Sequence, residues 1–209
     1  MLCLSSELSI GVHDAGLKAR SPEQLQHFLS IPPSFLAQLA GLVDGDGYIP
    51  VTKTAKGYIE ISLVIGLDVR DIELLKTLQA TLGLGRVTNP VKNKDGTTIV
   101  KWIINRTDLQ EVLFPLFIHH SIFFLTNVRR EQFNLALYVM DNGLTKYAEI
   151  PEAVPTSSLL QPLPLTPADY LLLPFFNPWV VGFTMAEFNL SFRNMENTIK
   201  EINRNNPIF

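Results

Sequence analysis

Residues 35–48 read FLAQLAGLVDGDGY, an apolar helix that runs into an acid set between two glycines. Ala37, Gly41 and Gly45 recur every four residues, so they share one stripe of an α-helix. That stripe carries almost no side-chain bulk. A second helix can therefore approach it backbone to backbone. Leu36, Leu39 and Val43 supply an apolar flank fit for burial. Asp46 falls where the helix stops and a strand begins. A partner helix pressed on the small stripe would bring its own terminal residue to the side of Asp46.

A degenerate second copy lies near the C-terminus. FLAQLAGLVDGDGYI (35–49) and FNPWVVGFTMAEFNL (176–190) align without gaps, with Gly182 on Gly41, Ala186 on Gly45 and Glu187 on Asp46. The stripe and the terminal acid recur at one phase. Two such helices crossing would juxtapose Asp46 and Glu187. A pair of carboxylates that both stay ionised calls for divalent cations between them.

The nonamer Leu39–Gly47, LAGLVDGDG, resembles the motif of the LAGLIDADG homing endonucleases and differs from it at two of nine positions. The resemblance covers roughly residues 30–190. It implies an α+β fold of helix, hairpin, helix, hairpin and helix with one antiparallel sheet, and double-stranded DNA as substrate. It also implies Mg2+-dependent hydrolysis of phosphodiester bonds in intron homing. By the same resemblance, the metal ligands and catalytic acids are Asp46 and Glu187, with the carbonyls of Gly45 and Ala186 beside them. Asp44 is read as making local structural contacts, and Met185 stands in its place in the second copy. Ala37, Gly41, Gly45, Gly182 and Ala186 form the expected helix interface. Active members carry a basic residue ahead of the last helix; here the neighbourhood is Thr126-Asn127-Val128-Arg129-Arg130, with Asn127 and Arg129 as the alternatives. Fungal mitochondria are the usual setting of such reading frames.

Composition is compatible with this. A chain of 209 residues, 46% of them hydrophobic, can bury a sizeable core. The single cysteine, Cys3, excludes an internal disulfide framework. No apolar run approaches the roughly 18 residues a membrane span needs. The net charge of −3 is low for a nucleic-acid binder, but its distribution matters more. Segments 48–66 and 84–106 hold seven basic residues, Lys53, Lys56, Arg86, Lys92, Lys94, Lys101 and Arg106, against Glu60 and Asp95. A locally basic sheet can bind phosphate with little long-range steering.

The order of elements follows from periodicity. Residues 1–33 read as a loosely packed N-terminal extension, closed by Pro32 and Pro33, with Ser34 as the N-cap of the motif helix. Residues 34–141 read as the first repeat. YIPVTKT and YIEISLVI flank a turn at Ala55-Lys56-Gly57, and Ile59, Ile61, Leu63 and Ile65 alternate with Tyr58, Glu60, Ser62 and Val64. Asp68 or Asp71 can cap a helix that Gly83 ends. A second hairpin turns at Asp95-Gly96, with Val100, Trp102 and Ile104 on one face and Lys101 on the other. Thr107 and Asp108 offer caps for LQEVLFPLF, and a last helix starts near Asn127. Such a pair of ribbons fits the major groove, and its candidate DNA contacts are Lys53, Lys56, Tyr58, Glu60, Ser62, Arg86, Lys92, Lys94 and Lys101. His119 and His120 lack a partner at metal-ligand spacing.

Residues 142–178 hold seven prolines. The segment 142–175 is read as a linker, or a strap across the first repeat. Residues 176–209 are expected to be a truncated second repeat, with its interface helix but no sheet. Phe188, standing on Gly47, implies a different exit from that helix. Other readings are an inactive remnant, an RNA-binding intron maturase, and a homodimer through the Phe35–Gly47 helix rather than a monomer.

Overall fold

The computed structural model describes residues 20–186. Glu187 and Phe188 lie outside the described residues, as does all that was expected of the chain after them. The fold is α+β, with helices packed on one face of an antiparallel sheet.

Helix α1 (Pro22–Ser30) precedes the motif helix α2 (Pro33–Asp46). The chain then forms β1 (Gly47–Tyr48), β2 (Val51–Lys53) and β3 (Ile59–Asp68), followed by α3 (Ile72–Leu82). The second hairpin is β4 (Arg86–Val87), β5 (Val91–Lys92) and β6 (Thr98–Asn105). A continuous helical stretch follows, made of α4 (Arg106–Asp108), a π-turn at Leu109–Leu113 and α5 (Phe114–His119). Then come α6 (Asn127–Asp141), the short α7 (Pro167–Leu171) and α8 (residues 176–186).

The six strands make four lanes. β1 and β2 both pair with β3, β3 pairs with β6, and β4 and β5 both pair with β6. Each outer lane is broken at a proline, Pro50 on one side and Pro90 on the other, because proline has no N–H to give to a ladder. Ile59, Ile61, Leu63, Ile65, Val100, Trp102 and Ile104 are buried beneath the helices. The opposite, outward face carries Glu60, Ser62, Lys101 and Asn105, as the period-two pattern requires.

Several local expectations are revised. Residues 20–33 are not loosely packed: Ser21 and Gln24 form a capping box on α1, and Phe28 and Ile31 are buried. Arg20 bonds Asp108 at 2.6 Å and Glu111 at 3.0 Å. Ser34 does not cap α2, whose N-cap is Pro32 with Pro33 in the first turn. Proline's fixed φ starts the helix, so no hydroxyl is needed there. Neither Thr107 nor Asp108 caps the stretch after β6; Asn105 does, accepting from Asp108 N–H at 3.0 Å. Asp68 caps a short 3₁₀ turn rather than α3 itself.

Gly47 ends α2 for reasons of space. Its φ of −92° is ordinary for any residue. A Cβ there would stand 2.7 Å from Val43 Cα, so it is space, not conformation, that excludes a side chain.

Parts of residues 142–175 lie against α6. Asn134 bonds Pro155 O and Ser157 N–H, Arg130 reaches Gln161 O, and Phe175 is buried.

Candidate functional site

Helices α2 and α8 meet backbone to backbone. A Cβ added at Gly41 would lie 2.0 Å from Trp179 O, and one at Gly182 would lie 1.9 Å from Gln38 O. Further along, a Cβ at Gly45 would come within 2.4 Å of Ala186 Cβ. Ala37 and Ala186 have no exposed surface. The two small stripes therefore face one another, and α8 occupies the side of α2 that a second copy of the chain would need for pairing. Asp46 is the next residue after Gly45, at the end of α2; in sequence, Glu187 is the next after Ala186.

The crossing is fixed by a buried carboxylate. Asp44 is 5% exposed and accepts four hydrogen bonds: from Leu125 N–H (2.7 Å), Thr126 N–H (3.2 Å), Thr126 Oγ1 (2.5 Å) and Trp179 Nε1 (2.8 Å). Burial pushes its carboxyl above the usual aspartate value, against the pull of the hydrogen bonds from Thr126, Leu125 and Trp179. These partners are not local. They come from the approach to α6 and from α8, so Asp44 ties three parts of the chain at the end of α2.

Helix α6 braces the same turn. Arg129 Nε donates to Val43 O at 2.9 Å, a carbonyl near the helix end that also accepts the N–H of Gly47. Gln132 Oε1 accepts from Ile49 N–H at 2.9 Å and from Arg129 Nη1 at 3.4 Å. Asp46 thus sits between two points, Val43 and Ile49, that α6 holds. Of the two alternatives for the basic residue, Arg129 is the one joined to α2; Asn127 is exposed at the start of α6. His119 and His120 stack edge to face at the end of α5, with ring centres 4.8 Å apart. Among the described residues no three His, Cys, Asp or Glu side chains gather as a metal cluster.

The outward sheet face forms a groove of about 710 Å3, with Glu60, Ser62, Arg86, Asn105 and Arg106 in its lining. Register sorts the expected DNA contacts. Arg86 lies opposite Ile103 and Lys101 opposite Gly66, in phase with the outward face. Tyr58, 51% exposed, shares the phase of Glu60 and Ser62. Lys56 and Lys94 are exposed on the two hairpin turns. Lys53 and Lys92 are exposed but lie opposite Ile59 and Thr98, in phase with the core face. The structure therefore does not bring those two onto the outward surface. Asn105, opposite Ser62, was missed by the sequence reading although its alternation with Ile104 marks it.

The family model of the LAGLIDADG endonucleases matches residues 39–133. Among solved structures, the chain is similar to I-SmaMI bound to uncleaved DNA target in the presence of calcium ions, at 17% identity over 71% of this chain and 57% of that one, with a TM-score of 0.43. It is similar to the LAGLIDADG meganuclease I-AabMI bound to uncleaved DNA, at 18% identity over 72% of this chain and 56% of that one, with a TM-score of 0.46. A third is the homing endonuclease I-CvuI in complex with its target, at 22% identity over 57% of this chain and 70% of that one, with a TM-score of 0.38. The chain spans little more than half the length of the first two.

Proposed function

We propose that this chain, whose residues 39–133 match the family model of the LAGLIDADG endonucleases, is a DNA endonuclease of that family that cuts a specific duplex site, as intron homing in an organelle requires. The observation that carries the reading is the backbone-to-backbone crossing of α2 and α8. Its Gly45–Ala186 contact brings the flank of Asp46 against the segment that precedes Glu187.

The donor set fits a hard divalent cation. Asp46 and Glu187 offer carboxylates, and Gly45 and Ala186 offer carbonyl oxygens. The C-terminal carbonyls of α2 favour positive charge; none of its own residues in the last turn is basic, and Arg129 of α6 stands at Val43 O. Bound there, Mg2+ would neutralise charge on the scissile phosphate and activate water. The chain's own residues do the rest. Arg129 and Gln132 hold the turn, Asp44 fixes the angle of the two helices, and the outward face grips the duplex through Arg86 and Lys101.

The test is cleavage of DNA spanning the intron-free insertion site in Mg2+, comparing the parent with Asp46→Asn. Cutting or nicking that Asp46→Asn abolishes, with duplex binding retained, is the expected result. A folded parent that binds the correct site and leaves it whole would overturn the reading.

A further inference from the structure

The sheet continues beyond the end of β6. At the start of β3, Ile59 donates its N–H to Thr145 O at 2.8 Å, Tyr147 donates to Gly57 O at 3.0 Å, and Tyr58 and Lys146 form an antiparallel bridge. β2 holds the other side of this stretch, with Lys53 opposite Ile59. The strap therefore takes the lane that β6 holds further along, where Asn105 faces Ser62. Arg106 Nη1 pins it there by donating to Leu144 O at 3.1 Å.

Phase then decides where Lys146 points. Residues directly opposite in an antiparallel pair share a face, and Tyr58 shares the face of Glu60 and Ser62. Lys146 is exposed, and so lies on the outward face just past the last residue of β6. Glu149 lies close by, but its Oε2 accepts the N–H groups of Thr145 and Lys146 at 3.0 Å each. Those two N–H groups hold the carboxylate in the turn, and it also attracts the Lys146 ammonium.

We propose that Lys146, beside Tyr58, is a phosphate contact, through which the strap lengthens the nucleic-acid surface along the lane of β6 and reaches the duplex backbone beyond it. The proposal rests on reading the outward face as the duplex-binding surface. A lysine at this margin is a flexible point charge suited to a phosphate rather than to a base edge.

The experiment is fluorescence anisotropy with a labelled mixed-sequence DNA duplex over a salt series. It compares the parent, Lys146→Ala, Lys146→Gln and Lys76→Ala; Lys76 lies on α3, away from this face, paired with Glu73 at 2.8 Å. Circular dichroism checks that each variant is folded. Both Lys146 variants are expected to lower the slope of log affinity against log salt by about 0.9, the value of one lost phosphate contact, with Lys76→Ala unchanged. A parental slope in the Lys146 variants, or an equal loss in Lys76→Ala, would overturn the proposal. A folded parent with no duplex binding would instead refute the functional reading beneath it.

Discussion

The indole N–H of Trp179 donates to Oδ2 of Asp44 at 2.8 Å, across 135 residues of sequence. The bond joins α8 to α2 one turn from the point where their small stripes touch. Trp179 is itself stacked between Phe176 (6.0 Å) and Phe183 (4.9 Å) along α8. Its ring position is therefore set before the hydrogen bond is made. Trp179→Phe should keep the stacking and lose the bond, at a cost of about 2 kcal/mol, since the acceptor is charged. Urea unfolding, followed by circular dichroism, measures it. No change in midpoint would mean that packing alone seats α8.

Asp44 makes stability depend on pH in a stated direction. Its folded-state pKa is raised by burial, so the folded chain takes up a proton at a higher pH than the unfolded chain does. The contribution of this group to stability therefore grows as pH falls through the folded value, and levels off below the unfolded value. The stability difference between the parent and Asp44→Asn should widen as pH is lowered across that window. A difference that narrows would show the four donors to outweigh desolvation.

Added bulk at the crossing should be costly. Gly41→Ala and Gly182→Ala would each drive a methyl into a backbone carbonyl at 2.0 and 1.9 Å, for which there is no flexible neighbour to yield. Each should destabilise by about 3 kcal/mol or detach α8. Gly66→Ala is the control: its Cβ would meet only Ile99 and Lys101 side chains at 3.8 Å, an ordinary contact. Thermal melts of the three variants give the ordering.

Gln132→Leu should separate binding from cutting. It leaves the Ile49 N–H, now held at 2.9 Å, without its acceptor, at about 1–2 kcal/mol of stability. It also frees one side of the turn that carries Asp46. Duplex affinity should hold while the single-turnover cleavage rate drops at least tenfold, and Gln132→Glu, which retains the acceptor, should recover much of it. Equal losses of affinity and rate in Gln132→Leu would place the residue in general folding.

Arg20→Ala tests the N-terminal docking. Arg20 neutralises Asp108 and Glu111, whose side chains are only 16% and 13% exposed, and Glu111 Oε1 is buried without a hydrogen-bond partner. Its removal should cost about 2 kcal/mol by leaving two half-buried carboxylates uncompensated. A shift in urea midpoint reads the loss.

What the sequence disclosed follows its own periodicities. The stripe of Gly41 and Gly45, and the alternation of Ile59 to Ile65, are written at fixed spacing, and both appear in the fold. The partners of Asp44 have no such spacing. A carboxylate's donors are decided by tertiary approach, so one acid in a helix reads the same whether solvated or buried. The capping box of Ser21 and Gln24 was legible but lay in a segment whose composition looked unstructured. Register explains the split among the lysines: a single exposed cation in a short edge strand does not reveal which face it takes. Lys146 was hidden for the opposite reason, since nothing in a proline-rich stretch marks a few residues that pair with a strand.

The two prolines that interrupt the outer lanes have a consequence for how molecules of this protein meet each other. An uninterrupted edge would offer a neighbouring chain a row of free N–H and C=O groups to extend, the route by which sheets polymerise. Here no outer piece is longer than the three residues of β2, and each lane turns aside at Pro50 or Pro90. The edges are thus poor templates for a foreign strand. Apolar surface remains around α7, at Leu165 (96%), Leu171 (71%) and Leu172 (78%), and on α8 at Val181 (48%) and Met185 (38%), and sticking between copies at high concentration should begin on such patches rather than by strand pairing.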